Sequence, residues 1–408
     1  MRTLRTTIRR SLGLMTVGLL VSVPALGACG GSSGGGAGGQ PASGSPSVSS
    51  TPLWAAPGGG ALPQKKVAAL QMALDNWVTA GRLVGVSAAV VTAAGTWSGA
   101  AGVDGAGVRL QPTSAMGIAS VTKTFVAAEV VQLASRGLVN LDAPLADYVS
   151  IPFDAKGATV RQALAMRSGF PEFTDGDFMT TVAANLNREW TVADDLALIP
   201  AKATGTGTLG GVPSYTNTNY VLLGELIAKV TGLPLAQALR RDLIGPAGLS
   251  RTWVQTAETP TAPLTVAKDV HGVTIVDRAG PYLPSRAAAS ALGGCGAIAS
   301  DAADVARWGY LLYGGRVIDA TLVKQMEADP QTEPEKGLYA LGTSLTTDDH
   351  GVTMVGHGGG GLQWPYTTVM MAWTGDPAVA VAVLTPQPAD FGTDIYDLFM
   401  QLQGTITG

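Results

Sequence analysis

Ser120-Val121-Thr122-Lys123 opens an apolar run, Val121 to Ala134, that ends at Arg136-Gly137 in the manner of a helix terminus. A serine in that place sits at a helix N-terminus. A spacing of three puts the Lys123 amine one turn along on the same face, within reach of the hydroxyl. Hydroxyl and amine are then a nucleophile beside a base. Free backbone N–H groups and the positive end of the helix dipole favour the oxyanion that forms when Ser120 attacks a carbonyl. Taken alone, the tetrad reads equally as a capping serine followed by a solvated lysine, so its weight depends on what the rest of the chain supplies.

Two further clusters stand at comparable positions. Tyr215-Thr216-Asn217 follows a glycine-rich loop and precedes a helical stretch, Tyr220 to Val230, that stops at Gly232 with Pro234 beyond; a turn with an asparagine cap has the same look. The loop itself spells G-x-G-x-x-G from Gly205 to Gly210, but serine, tyrosine and asparagine follow where a dinucleotide site needs a helix directly, so it reads as loop. His357-Gly358-Gly359-Gly360-Gly361 lies between two strand candidates. Glycines beside a strand let a substrate backbone approach closely, and a flexible hairpin turn with an incidental imidazole would share that composition. His271 and His350 show no ligand spacing with His357, and no acidic cluster joins them, so neither a metal nor another cofactor is expected.

The chain has 408 residues, 46% of them hydrophobic and 14% charged, which is enough to bury a large core and favours a sizeable globular enzyme. The formal charge of −4 includes Arg2, Arg5, Arg9 and Arg10; without that leader it falls to about −8. An acidic surface lacking Lys/Arg clusters repels phosphate backbones, so nucleic acid is excluded as a partner class.

The arginines precede an apolar run from Leu12 to Ala25 and then Leu26-Gly27-Ala28-Cys29. The run is short for a membrane span and fits an export signal, residues 1–28. The tetrad resembles the lipobox of bacterial lipoproteins, which implies diacylglycerol on the Cys29 thiol, a new N-terminus there, and an extracytoplasmic location anchored to the membrane by lipid. Arg9-Arg10 leaves a twin-arginine export route open. With Cys29 lipidated, Cys295 has no partner, and no disulfide is expected. Cys295 lies among glycines and reads as a buried structural thiol.

From residue 29 to 63 the chain is mostly Gly, Ser, Ala and Pro and cannot bury enough surface to fold. A tether of that kind spans on the order of 30 Å. Its Gly30-Gly31-Ser32-Ser33-Gly34 matches G-x-S-x-G without the strand-turn-helix that such a nucleophile needs. The folded domain is expected over 64–408. A helix carrying Val67, Leu70, Leu74, Trp77 and Val78 opens it. A hairpin broken at Ala94-Gly95 follows within Gly85 to Val103. From about 120 to 335 the pattern is mainly helical, with long loops around Pro171 to Phe178 and Thr256 to Pro284. Strands return at Tyr339 to Leu345, Val352 to Val355, Tyr366 to Trp373 and Ala378 to Leu384, before a closing helix, Ile395 to Leu402. Strands at both ends enclosing helices predict an α+β fold whose sheet is assembled from the two termini.

In this order and at these separations, the three clusters resemble the serine beta-lactamase and D-alanyl-D-alanine carboxypeptidase family, in its class C-like branch. The resemblance runs from about Lys65 to Leu402 and includes Ser300-Asp301-Ala302-Ala303-Asp304, which looks like a family helix start. It implies an antiparallel sheet flanked by helices beside an all-helical region, with the site between them. It also implies an acyl-enzyme on Ser120, a proton shared by Lys123 and Tyr215, and Asn217 binding a substrate amide while holding Lys123. His357 would stand where many relatives have lysine, with Gly359 and Gly360 on the substrate side and the N–H groups of Ser120 and Gly360 as oxyanion donors. Met166-Arg167-Ser168-Gly169 and Gly361-Leu362-Gln363-Trp364 depart from the family pattern and leave specificity open. The implied substrates are cell-wall D-alanyl peptides or beta-lactams. A carboxylesterase on the same fold, or a non-catalytic envelope-binding lipoprotein, are the competing functions.

Overall fold

The computed structural model describes residues 51–408 except 201–202, 262–264, 269–281, 334–336, 349–350, 361–363 and 389–394. Cys29 and the rest of the leader, most of the tether, His271, His350 and Gly361 lie outside the described residues. The first elements are α1 (Gln64–Thr79), β1 (Gly85–Thr92), β2 (Thr96–Gly102), β3 (Met116–Gly117), a 3-10 turn (Ala119–Val121) and α2 (Thr122–Ser135). The middle of the chain forms α3 (Val160–Leu164), α4 (Phe178–Ala184), α5 (Val192–Ala197), α6 (Thr218–Thr231), α7 (Leu235–Leu239), β4 (Trp253–Val254), α8 (Arg286–Gly296), β5 (Ile298–Ser300), α9 (Ala302–Tyr313) and α10 (Ala320–Glu327). The closing set is β6 (Gln331–Glu333), β7 (Gly337–Tyr339), β8 (Ser344–Thr347), β9 (Thr353–Gly359), β10 (Thr367–Trp373), β11 (Val379–Thr385) and α11 (Tyr396–Thr407).

The main sheet runs β2-β1-β11-β10-β9-β8-β7-β6. The two ends of the chain meet in antiparallel register, Ser87 opposite Leu384 and Val90 opposite Val381, as a sheet built from both termini requires. Its central strands are buried on both faces, which is why they read as Val/Ala runs rather than as alternation. On one face Val86, Ala88, Val90, Val381 and Val383 pack with Leu70, Leu74 and Trp77 of α1 and Phe399 and Leu402 of α11. On the other, Ala89, Val91, Ala380, Ala382 and Leu384 join Val305 and Trp308 of α9 and Phe125 of α2. Phe125 and Trp308 stack with centroids 3.8 Å apart, and the Trp308 indole N–H donates to Thr124 Oγ1 at 2.8 Å. That pair ties α2, and with it the Ser120 turn, to the sheet through α9.

Three expectations need correction. Residues 51–63, assigned to the tether, lie on the domain. Trp54 packs on Tyr310 at 5.3 Å, its carbonyl accepts from Arg316, and Gly58 N–H donates to the Thr92 carbonyl. Trp54 and Leu62 supply the apolar surface that the earlier Gly/Ser/Pro stretch lacks. The expected strand Tyr339 to Leu345 is two strands, because a turn closed by Ala340 N–H to the Thr343 carbonyl separates β7 from β8. Finally, the mainly helical part also holds a small sheet, β3-β5-β4. Strands of two or three residues are too short for a period of two to show.

Glu129 of α2 is fully buried beside Asp242, whose carboxylate is held by Arg136 and Arg241. Burial first, and the Asp242 charge second, push the Glu129 carboxyl up to about 8. The folded chain therefore binds a proton that the unfolded chain has released above its ordinary value near 4.3, so stability falls as pH rises through that window. Glu129→Gln is expected to remove this slope. Denaturant midpoints at pH 5 and 8.5 should show the variant gaining on the wild type by on the order of 3 kcal/mol across the interval, and parallel slopes for the two proteins would refute the assignment.

Candidate active site

The Ser120 turn is strained and pinned. Ala119 has φ 45°, the left-handed region, which costs an alanine about 1–2 kcal/mol and persists only where the surroundings impose it. The small sheet imposes it here. Ile118 N–H donates to the Ile298 carbonyl at 2.9 Å, and Ile298 N–H donates to Thr122 Oγ1 at 3.2 Å. Ser120 thus sits in the 3-10 turn directly ahead of α2, whose first residue is Thr122, one step outside the helix that the apolar run predicts.

Lys123 is fully buried and touches three oxygens: Ser120 Oγ at 2.8 Å, Asn217 Oδ1 at 2.8 Å and the Cys295 carbonyl at 2.9 Å. The last two only accept, so they fix two of the amine hydrogens and leave the third position facing the serine. An uncharged amine keeps both carbonyl contacts and turns its lone pair on the Ser120 O–H. Burial favours that uncharged form, lowering Lys123 from 10.5 to about 8 against the opposing pull of Glu172. The Cys295 carbonyl is aimed by a break in α8 at Gly293, where φ 38° and ψ −125° are open to glycine. The Cys295 thiol is buried and pushed up to about 12 by burial, an inert group as expected.

Tyr215 completes the group. Its phenol shares a hydrogen bond with the Ser120 side chain, and its ring lies 4.9 Å from Lys123 Nζ. Burial drives this phenol well above 10, only partly countered by the Ser120 bond. The two groups expected to share a proton are therefore moved in opposite directions by the same burial: the lysine toward its free base and the tyrosine away from phenolate. Of the two, Lys123 is the group whose uncharged form lies within reach of ordinary pH, and Tyr215 stays a neutral hydroxyl. Glu172, which the sequence patterns did not single out, accepts from Thr174 N–H at 3.0 Å and from Asn217 N–H, fixing the backbone that carries Asn217. Asn217 stands at the N-cap of α6, but its side chain makes no capping bond and instead bridges Lys123 and Thr174 Oγ1.

Met166-Arg167-Ser168 acts behind this group. Arg167 Nε donates to the Gly211 carbonyl at 2.7 Å, Ser214 N–H donates to the Met166 carbonyl at 2.8 Å, and Ser168 Oγ meets Asn219 Oδ1 at 2.6 Å. The Gly205 to Gly210 stretch is loop, as read, and Arg167 ties its end through the Gly210 and Gly211 carbonyls.

The third cluster belongs to β9 rather than to a turn. His357 pairs with Met370 of β10, and both its ring nitrogens meet protein atoms: Nε2 the Tyr339 hydroxyl at 3.2 Å, Nδ1 the Gly358 carbonyl. At 3% exposure it is buried behind the strand edge. Gly359 is where the strand edge presses on the nucleophile turn. A Cβ there would stand 2.2 Å from the Ile118 carbonyl oxygen and 3.1 Å from Ser120 N. Gly360 follows at φ 110°. The edge carrying Gly359 and Gly360 therefore reaches the Ser120 backbone, where the resemblance puts the oxyanion donors.

A family model described as Beta-lactamase matches residues 66–399. The chain belongs to the beta-lactamase family. A D-amino acid amidase of Ochrobactrum anthropi SV3, solved with L-phenylalanine amide, superposes with a TM-score of 0.71 at 24% identity over 84% of this chain and 99% of that one. A D-stereospecific amidohydrolase of Streptomyces sp. gives 0.68 at 26% identity, covering 82% and 97%. The Bacillus subtilis protein PbpX, named for penicillin binding, is 24% identical over 220 residues, 54% of this chain and 51% of that protein. The chain thus spans about half the length of that relative. Beta-lactamase-family folds of this kind house serine hydrolases, and here the fold brings Ser120, Lys123, Tyr215, Asn217, Gly359 and Gly360 to one place. Glu172 and Tyr339 were missed by sequence reasoning. No spacing marks them, because each meets the site only through tertiary contacts.

Proposed function

We propose that this chain is a serine hydrolase that forms an acyl-enzyme on Ser120 and acts on the amide of a D-amino acid residue, in a D-alanyl peptide or a beta-lactam. The observation that carries the reading is the Lys123 amine 2.8 Å from Ser120 Oγ with its other contacts on carbonyls. Lys123 takes the Ser120 proton as Oγ attacks the carbonyl carbon. The N–H groups of Ser120 and Gly360 receive the oxyanion. Tyr215, still protonated, hands a proton to the leaving nitrogen and is recharged from Lys123. The acyl-serine ester then awaits water. The amidase and amidohydrolase neighbours support the substrate class, since they are named for D-amino acids and for D-stereospecific hydrolysis. In this reading the lipid on Cys29 holds the domain outside the membrane, beside cell-wall peptides.

The test is incubation with a fluorescent penicillin and with an activated ester, followed by mass localisation of any adduct. A penicillin adduct on Ser120, lost in Ser120→Ala, is the expected result. Ester turnover with no penicillin adduct would move the assignment to a carboxylesterase, and silence with both probes would leave only a binding role.

A further inference from the structure

Asn217 is held out of its ordinary place. An asparagine ahead of a helix usually turns its side chain back to accept from the second or third N–H, whereas this one spans from Lys123 Nζ at 2.8 Å to Thr174 Oγ1 at 3.3 Å. The segment 171–174 keeps it there. Thr216 Oγ1 donates to the Pro171 carbonyl at 3.4 Å, Phe173 N–H donates to Thr218 Oγ1 at 3.1 Å, and between them Asn217 N–H donates to Glu172 Oε2. Glu172 Oε1 accepts from Thr174 N–H at 3.0 Å. One carboxylate thus holds the backbone of Asn217 and of the threonine that meets the far end of its amide. Both of its oxygens accept, as those of an ionised carboxyl do.

We propose that Glu172 is a positioning residue for the reaction at Ser120: its carboxylate presents the Asn217 amide to Lys123 and balances the charge that the lysine gains on taking the Ser120 proton. The rate arm of this inference rests on the function proposed above; the titration of Lys123 does not. As Oγ bonds to the substrate carbonyl carbon, its hydrogen passes to Nζ, and the ammonium so formed donates to Asn217 Oδ1 and the Cys295 carbonyl. Those dipoles accept its hydrogens but do not neutralise it, and a buried cation needs a counter-charge. Among the described residues, the Tyr215 and Tyr220 rings lie 4.9 and 5.6 Å from Nζ, with Tyr339 and His357 beyond the Tyr215 ring at 6.0 and 6.1 Å. The three phenols and the Cys295 thiol are driven up by burial and stay neutral. Glu129, farther along α2 beside Asp242, is protonated up to about 8, chiefly by burial. Asp195 and Glu333 act on Cys295 and Tyr215 rather than on the amine. Glu172 is the carboxylate bonded to a partner of Lys123. Burial raises its carboxyl, while the Thr174 and Asn217 bonds and the Lys123 charge pull it down.

NMR of 13C-lysine-labelled full-length protein, with the Lys123 signal assigned by its loss in Lys123→Met, follows the amine without any catalytic readout. The Lys123 midpoint is expected to fall by about one pH unit in Glu172→Gln, which removes the charge, and to return toward wild type in Glu172→Asp, which keeps it. A folded Glu172→Gln with the wild-type midpoint overturns the inference. The coupling is reciprocal, so Lys123→Met should raise the Glu172 midpoint in 13C-glutamate spectra; an unmoved Glu172 would overturn the inference even if Glu172→Gln does not fold. In turnover of an activated ester, Glu172→Gln should lower the plateau rate about tenfold while its acid limb moves down by the same unit as the NMR midpoint. A lower plateau with the limb in place would mean packing alone and would also overturn it. Absence of wild-type ester turnover would sink the hydrolase reading and leave the two titrations to decide this one.

Discussion

Lys123→Met is expected to lower kcat/KM for an activated ester by roughly 10³- to 10⁴-fold while leaving the fold intact, because it removes the base proposed for Ser120. Tyr215 cannot take its place, since burial holds its phenol well above 10 and keeps it protonated at any ordinary pH. Methionine fills the same buried slot without a charge, so circular dichroism and thermal midpoint should stay near wild type. The wild-type pH profile carries the same claim. Acylation needs the uncharged amine, and the folded lysine titrates at about 8. The rate on the ester should therefore rise about tenfold per unit below pH 8 and level above it, with no descending limb before pH 10. A profile flat from pH 6 to 9, or a Lys123→Met variant within tenfold of wild type, would remove Lys123 from the role of base.

Gly359→Ala is expected to cost about 10²-fold or more in kcat/KM. The added carbon would stand 2.2 Å from the Ile118 carbonyl oxygen, a backbone atom that the β3–β5 pairing prevents from yielding. The strand edge must retreat instead, taking the Gly360 N–H away from the Ser120 turn by a sizeable fraction of an ångström. Overpacking of this kind also costs about 1–3 kcal/mol of stability. Gly404→Ala is the control: it lies in α11 with nothing within 4 Å of the added carbon, and should gain several tenths of a kcal/mol without touching the rate. Equal rates for the two variants would show that the edge does not shape the oxyanion site.

Much of the site was legible because its parts carry local signatures. Ser120 and Lys123 share one helical repeat, and the glycines after His357 are adjacent in the chain. Tyr215 and Asn217 stand at a helix edge that Gly232 and Pro234 frame. What misled was also local. His357 was placed between two strands, at a ligand-facing edge or in a hairpin turn, because four glycines follow it, and it lies inside β9, since glycine in a strand marks the close approach of another backbone as readily as a bend. Residues 51–63 looked like tether because their composition is averaged over small residues, while one indole, Trp54, decides where they lie. Glu172 and Tyr339 carry no pattern at all; their importance comes from contacts with Asn217 and His357, 45 and 18 residues away.

By itself the sequence determined the layering and the placing of Ser120 and Lys123 one helical turn apart. Apolar periodicity places helices and buried strands, and a three-residue spacing on a helix brings hydroxyl and amine onto one face whatever else surrounds them. Only the tertiary structure decided which of the two groups, Lys123 or Tyr215, is moved toward its proton-accepting form. Spacing says nothing about solvation, and it is the depth at which Lys123 and Tyr215 are buried that draws the lysine toward its free base and leaves the tyrosine holding its proton.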